Sequence, residues 1–480
     1  MADDEEPSAR GLFGGVFARG GVEAGDTAWL QAMLDAEAGL ARALERAGLA
    51  PAGAGEAVTA TAKASNFDPD ELGALAALTG NPVPGLARAL ARRVPQTAVS
   101  AVHRGATSQD ILDTAAMLLA KRAIDVMLAD LAQVAEAAAG LAEAHRASIM
   151  IGRTLLQQAV PVTFGLIAAG WLTSVDEARE GLAAVRSRRL AVQFGGAAGT
   201  LASLGDHGQQ VAALLAEELG LALPVLPWHT DRLRIIDLGV ALARVAAALG
   251  KIARDVTLLA QAEIGEISEG GGPSPARSAD QRGPDPQAAA ASPRRGGSSA
   301  MPHKRNPVAS IAILGCTRQV PGLLGILVSN SEQELQRAAG AWHAEWEPLA
   351  ALLRLTGSAS SWAAELLPGL IVDTSRMAAN LTATKGLPLA EHVSSLLAGV
   401  LGGAQAHDLV AEAGARAVGA GLPLRDVLLA VPKLEERLSA AGITAEQIDS
   451  ALDPAGYLGA TDAFITAALE AHRSWEVPSG

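Results

Sequence analysis

The richest concentration of reactive side chains is Gly297-Ser298-Ser299-Ala300-Met301-Pro302-His303-Lys304-Arg305-Asn306-Pro307. Two hydroxyls follow a glycine, and an imidazole, two cations and an amide come directly after them. A loop of this content can close over an anion, offering a proton-transfer group together with charge stabilisation where negative charge develops. On composition alone it reads equally as a basic surface linker, because connecting loops share these residues.

Further segments punctuate the helices. His103-Arg104-Gly105-Ala106-Thr107-Ser108-Gln109-Asp110 sets two adjacent hydroxyls before a helix; as plain helix-start chemistry they form an N-cap, with His103 a satisfied buried histidine. In the run from Gln336 to Trp346, Arg337 can grip a planar carboxylate with two parallel hydrogen bonds. The plainer reading there is an exposed helical arginine beside two packing tryptophans, Trp342 and Trp346. Phe194-Gly195-Gly196-Ala197-Ala198-Gly199-Thr200 is no dinucleotide fingerprint, because no strand-turn-helix context surrounds it; close packing explains its glycines.

These groups must be held by helices. From Thr27 to Leu49 the apolar residues Leu30, Met33, Leu34, Leu40, Ala41 and Leu44 share one helical face on which Glu37 is the single polar interruption, and Ala50-Pro51-Ala52-Gly53 ends the pattern. Residues 110–147 and 232–269 are long, Pro-free and sparsely interrupted by glycine, which suits the staves of an elongated bundle. The segment from Gly270 to Pro307 is too rich in Gly, Pro, Ser and Arg to bury much surface on its own. A break near Gly357 and turn signals at Gly386-Leu387-Pro388 and Gly421-Leu422-Pro423 mark a small carboxy-terminal helical unit. The expected division is 1–104, an amino-terminal helical domain; 105–356, a central bundle carrying the 270–307 loop; and 357–480, a carboxy-terminal helical domain.

Composition narrows the function classes. With 480 residues the chain can build a large core, and 49% hydrophobic but only 3% aromatic residues make that core mainly Ala, Leu and Val, as an all-α fold prefers. A formal charge of -13 argues against nucleic acid or an anionic membrane as partner, so an anionic ligand must be met by local cations. The acidic start Met-Ala-Asp-Asp-Glu-Glu does not read as a targeting peptide, which points to the cytoplasm. Cys316 is the one cysteine and the nine histidines show no metal-ligand spacing, so neither a disulfide, a metal nor another cofactor is expected.

The run from Gly297 to Pro307 resembles the signature of the fumarase/aspartase superfamily, whose members include fumarase, aspartase, argininosuccinate lyase, adenylosuccinate lyase and 3-carboxy-cis,cis-muconate cycloisomerase. The resemblance implies a three-domain helical chain forming a homotetramer around a central bundle, with each active site drawn from three subunits and a small polycarboxylate as substrate. It puts the catalytic base on Ser298, and carboxylate binding and polarisation on Lys304 and Asn306. It carries His103, Thr107, Ser108, Gln109, Thr154, Gln157, Ser299, Met301, His303 and Arg337 as substrate-binding residues. It covers the chain from about Trp29 to about Ala390, and residues 270–295 look like an insertion directly before the signature.

One departure has chemical content. Many members have His after the Gly-Arg-Thr triplet, where it protonates a poor leaving group such as an amine; here the residue is Leu155. Adenylosuccinate and argininosuccinate chemistry are thereby disfavoured. A carboxylate, with a conjugate acid of pKa about 4, departs and attacks without such an acid. That fits the cycloisomerase branch, which adds one carboxylate of 3-carboxy-cis,cis-muconate across a double bond conjugated to another, and the residues from Gly152 to Gly165 and from Gln336 to Trp346 resemble that branch. A fumarate-releasing lyase acting on a succinate derivative with a good leaving group, such as nitrosuccinate, is the alternative, and a recruited structural protein is the non-enzymatic one.

Overall fold

A computed structural model describes residues 11–270, 296–297, 301, 304–432, 438 and 442–474. The elements that position the site are labelled here in chain order. Helix α1 is Asp26–Arg46 and α2 is Ser108–Ala144; strands β1 (Ile149–Thr154) and β2 (Gln157–Thr163) follow, then α3 (Phe164–Arg188) and α4 (Leu233–Leu259). After β3 (Ile267–Glu269) come α5 (Val308–Thr317), α6 (Val320–Ser329), α7 (Trp346–Leu366) and β4 (Leu370–Val372). Helices α8 (Ala390–Leu401), α9 (Gly403–Ala420) and α10 (Thr461–Arg473) lie toward the carboxy terminus. The fold is all-α; among the described residues the β-structure is two short antiparallel ladders, β1-β2 and β3-β4, and a few isolated bridges.

The centre is a bundle in which α2 packs on α3 and α7, while α4 packs on α3, α5, α6 and α7. Helix α2 shows why its sequence builds a stave. From Gln109 to Ala120 every residue is buried, as befits a helix surrounded on all sides; beyond that only Ala123, Ile124, Met127, Leu131, Val134, Ala135, Ala138 and Ala142 are buried, the stripe of a helix covered on one side. Asp110 reaches back to the Thr107 N–H at 2.9 Å and closes the first turn. At ~1.5 Å per residue its 37 residues run about 55 Å.

The structure departs from the periodicity in two places. The stretch expected to stay helical to residue 269 ends at Leu259, and β3 follows after a turn. Helix α7 passes unbroken through Gly357, where a break is expected; a Cβ there would lie 2.5 Å from Val22, so the glycine admits the amino-terminal segment rather than stopping the helix. A separate apolar core runs from Val393 to Ala451 across α8 and α9, whereas α10 returns to the main core through Ile465 and Leu469.

Candidate active site

The loop entering α2 is organised by two buried acids. Glu37 on α1 is 0% exposed, and its carboxylate accepts the His103 N–H at 3.0 Å and meets His103 Nδ1 at 2.6 Å. His103 sits at φ 55°, a left-handed conformation that costs a non-glycine residue free energy, so these two bonds hold a strained backbone. Burial pulls the imidazole pKa down, but the hydrogen bond and charge of Glu37, with Asp110 nearby, outweigh it and leave the group above its ordinary value.

Asp110 is the second acid. Its Oδ1 accepts from Gln193 Nε2 at 2.8 Å, Gly195 N at 3.1 Å and His229 Nε2 at 2.9 Å, and its Oδ2 accepts from Gly196 N at 2.8 Å as well as from Thr107 N. The glycine-rich turn therefore exists to bring backbone donors against a carboxylate: a Cβ on Gly195 would lie 2.7 Å from Pro227, and Gly196 has φ 66°. Arg337 reaches the same loop, donating from Nη1 to Thr107 Oγ1 at 2.6 Å with its guanidinium carbon 5.9 Å from the Trp342 ring centre.

Beneath these lies a buried ion network. Arg232 donates to Asp113 at 2.8 and 3.1 Å and to Glu345 at 2.6 Å; Trp342 Nε1 and Gln109 Nε2 also donate to Asp113, each at 3.0 Å. Burial raises the pKa of Glu345, against the pull of Arg232. Gln109 is itself buried, with Nε2 also bonded to the His229 carbonyl at 2.7 Å, so it supports the loop from behind.

The other expected regions lie at the opposite end of the staves. Thr154 and Gln157 are exposed partners beside the turn of the β1-β2 hairpin, whose tip is Leu155 and Leu156 at φ 50° and 64°. Arg153 anchors the hairpin, donating to both oxygens of buried Glu266 at 2.8 and 2.9 Å, and Asn380 donates to the same carboxylate at 2.8 Å. Glu269 then caps α5, accepting from Ala309 N at 3.0 Å, Ser310 N at 2.8 Å and Ser310 Oγ at 2.7 Å. The base of the signature loop is tied by Asn306, which donates to the Gly296 carbonyl from N at 2.9 Å and Nδ2 at 3.2 Å. Lys304 and Met301 are exposed beside it. Ser298, Ser299 and His303 lie outside the described residues.

Residues 25–271 match the lyase family. A 3-carboxy-cis,cis-muconate cycloisomerase of Pseudomonas aeruginosa is 43% identical over 94% of this chain and 93% of its own length. The chain belongs to the fumarase/aspartase superfamily. This superfamily member is as similar, at 43% identity over 96% of the chain and 94% of the relative, to a nitrosuccinate lyase of Streptomyces davaonensis. Among solved structures, the 3-carboxy-cis,cis-muconate lactonizing enzyme of Pseudomonas putida superposes with TM-score 0.84 at 39% identity, covering 96% of this chain and 99% of that one.

As a member of that superfamily the protein is an enzyme, and the buried charged groups behind its candidate site are what sequence reasoning could not pair. Glu37 carried a signal, as the sole polar residue on an apolar face. Asp113, His229, Arg232 and Glu345 carried none, because each looks like an ordinary charge until its partner from a distant segment is in place.

Proposed function

We propose that the chain is a 3-carboxy-cis,cis-muconate cycloisomerase-like enzyme. One substrate carboxylate oxygen bonds to the carbon beta to a second carboxylate, the double bond opens toward the alpha carbon, and Ser298 delivers the proton that completes the lactone. The observation that carries this reading is the Arg337–Thr107 pair on a loop of hydroxyls, set against a hairpin tip where Leu155, 96% exposed, provides no acid for a leaving group. A carboxylate nucleophile needs none.

The charge to be stabilised is an aci-carboxylate dianion, formed as the alpha carbon gains or loses its proton. We assign that work to Lys304 and Asn306. Arg337, Thr107, Ser108, Thr154 and Gln157 orient the remaining carboxylates, with Ser299, Met301 and His303 in the closing loop and Gln109 behind.

In one chain Thr107 does not meet Thr154 or Gln157, since Thr107 precedes α2 and the hairpin follows its far end, ~55 Å away along the helix. We infer that copies assemble to complete the site, as a homotetramer with three subunits per site. Supporting this, α4, α5 and α6 lie together and leave Val240 43%, Ile311 53%, Ile326 41% and Val328 47% exposed, an apolar face that a second copy covers. Val308–Ser329 is even long and apolar enough to cross a membrane, with a mean hydropathy of 1.7 in its most apolar window, yet Arg318 interrupts it and α5 and α6 pack on α4 and α7.

A second reading is favoured by the equal identity to a nitrosuccinate lyase, with nitrite leaving to give fumarate. Incubating the enzyme with each substrate separates them. Loss of the muconate chromophore is expected; fumarate release from nitrosuccinate without muconate turnover reverses the ranking, and inactivity toward both removes this assignment. Mixing Thr107→Val and Ser298→Ala subunits tests the shared site, since hybrid assemblies then regain intact sites.

A further inference from the structure

We propose that Glu37 is a positioning residue for catalysis, holding His103 as a cationic donor whose free Nε2–H grips a carboxylate of the substrate. The inference deepens the function proposed above and rests on it for the identity of the ligand.

The geometry leaves little freedom to the ring. Glu37 spends both carboxylate oxygens on His103, one on its backbone N–H at 3.0 Å and one on Nδ1 at 2.6 Å. The first bond sets the left-handed backbone at φ 55°, and the second sets the ring about its own axis and requires the proton on Nδ1. Nε2, on the far edge of the imidazole, has no protein partner among the described residues, and the His103 side chain is 24% exposed where Glu37 is fully covered. The ring thus bridges a buried anion and the accessible side of the loop that carries Thr107, the residue Arg337 reaches.

A carboxylate with no exposure is costly unless paired, and among the described residues Glu37 has a single neutralising partner, His103. Protonated His103 removes that cost and exposes a positive N–H at the site. Charged groups from the surrounding elements act in the same direction or cancel: Asp110 on α2 favours the imidazolium, His229 is bonded to Asp110, Arg104 is turned to the Leu49 carbonyl, and Arg337 is bonded to Thr107. A tricarboxylate brings three negative charges, and Arg337, Lys304 and His103 together supply three positive ones. Sequence alone places His103 on the loop; only Glu37 makes it a cation aimed outward.

The test combines Glu37→Gln, Glu37→Asp and His103→Ala with imidazole NMR titration and pH profiles of kcat/KM. In Glu37→Gln the His103 pKa falls by at least one unit, the alkaline limb of kcat/KM moves down with it, and KM rises about tenfold or more with a smaller change in kcat. Glu37→Asp restores part of the profile, which a packing defect would not show. An unchanged His103 titration in Glu37→Gln overturns the pairing. A normal titration shift with an unchanged kinetic profile, or His103→Ala with wild-type KM, overturns the role in binding. Should the enzyme turn over neither carboxylate substrate, the NMR arm still decides the Glu37–His103 linkage, so that failure of the functional reading is told apart from failure of this one.

Discussion

Arg337 and Thr107, 230 residues apart in sequence, meet through a 2.6 Å hydrogen bond from guanidinium to hydroxyl at the amino-terminal end of α2. One Nη is committed to the loop, and the planar fork keeps donors in a fixed relation to it. Arg337→Ala therefore lowers kcat/KM by roughly 10–100-fold, the effect of losing a hydrogen bond to a charged group, with most of the change in KM. Arg337→Lys recovers only part, because an ammonium cannot reproduce the fork. Steady-state kinetics on both variants check this, and a lysine variant equal to wild type rejects the bidentate grip.

Ser298→Ala removes the proposed proton carrier without touching the carboxylate cradle. Turnover should fall by roughly 10²–10⁴-fold, the usual range for a positioned acid-base group, while substrate still binds. Calorimetric titration of the inactive variant measures that binding, and near-normal turnover takes Ser298 out of the mechanism.

The Asp113–Arg232–Glu345 network is buried, with the Arg232 side chain 1% exposed. Arg232→Met strands two carboxylates against each other in the core and should destabilise the fold by about 3–5 kcal/mol. A lowered denaturation midpoint is the expected result. Arg232→Met paired with Asp113→Asn and Glu345→Gln removes the stranded charges and regains much of the loss; a triple variant no better than the single one contradicts the electrostatic account.

Asp130 on α2 carries a carboxyl pushed up to about 6, mainly by burial, with the Arg19 charge opposing. Its folded value lies above the unfolded one, so the folded chain holds the proton more tightly, and this group costs stability as pH rises from about 4 to about 6. Asp130→Asn should stabilise the protein at pH 7 by about 1–2 kcal/mol, after allowance for its partial exposure, and by much less below pH 4. Denaturation of both proteins at the two pH values reads the difference, and an equal effect at both assigns it to packing instead.

Much of this molecule is legible in its residue order, because the interactions concerned are local. Apolar periodicity sets the long staves α1, α2 and α4, Thr107 and Asp110 start α2 within one turn, and the compact string from Gly297 to Pro307 announces its superfamily without reference to any fold. The β1-β2 hairpin escaped notice because its turn is Leu155-Leu156, where left-handed φ values ordinarily call for Asn or Gly. Residue order likewise left α7 looking breakable at Gly357, since the close approach of Val22 is a long-range fact.

What the tertiary structure alone decided is the pairing of charges and the distance between motifs. Glu37 finds His103 66 residues away, Asp110 gathers donors from residues 193 to 229, and Arg232 settles between acids 119 positions before it and 113 after. A buried charge is tolerated only where packing delivers its partner, and packing is a property of the assembled bundle, not of neighbouring residues. The same bundle holds its first loop and its hairpin at opposite ends of a rigid helix, and on the function proposed above it is this length of α2 that calls for other copies of the chain to complete the site.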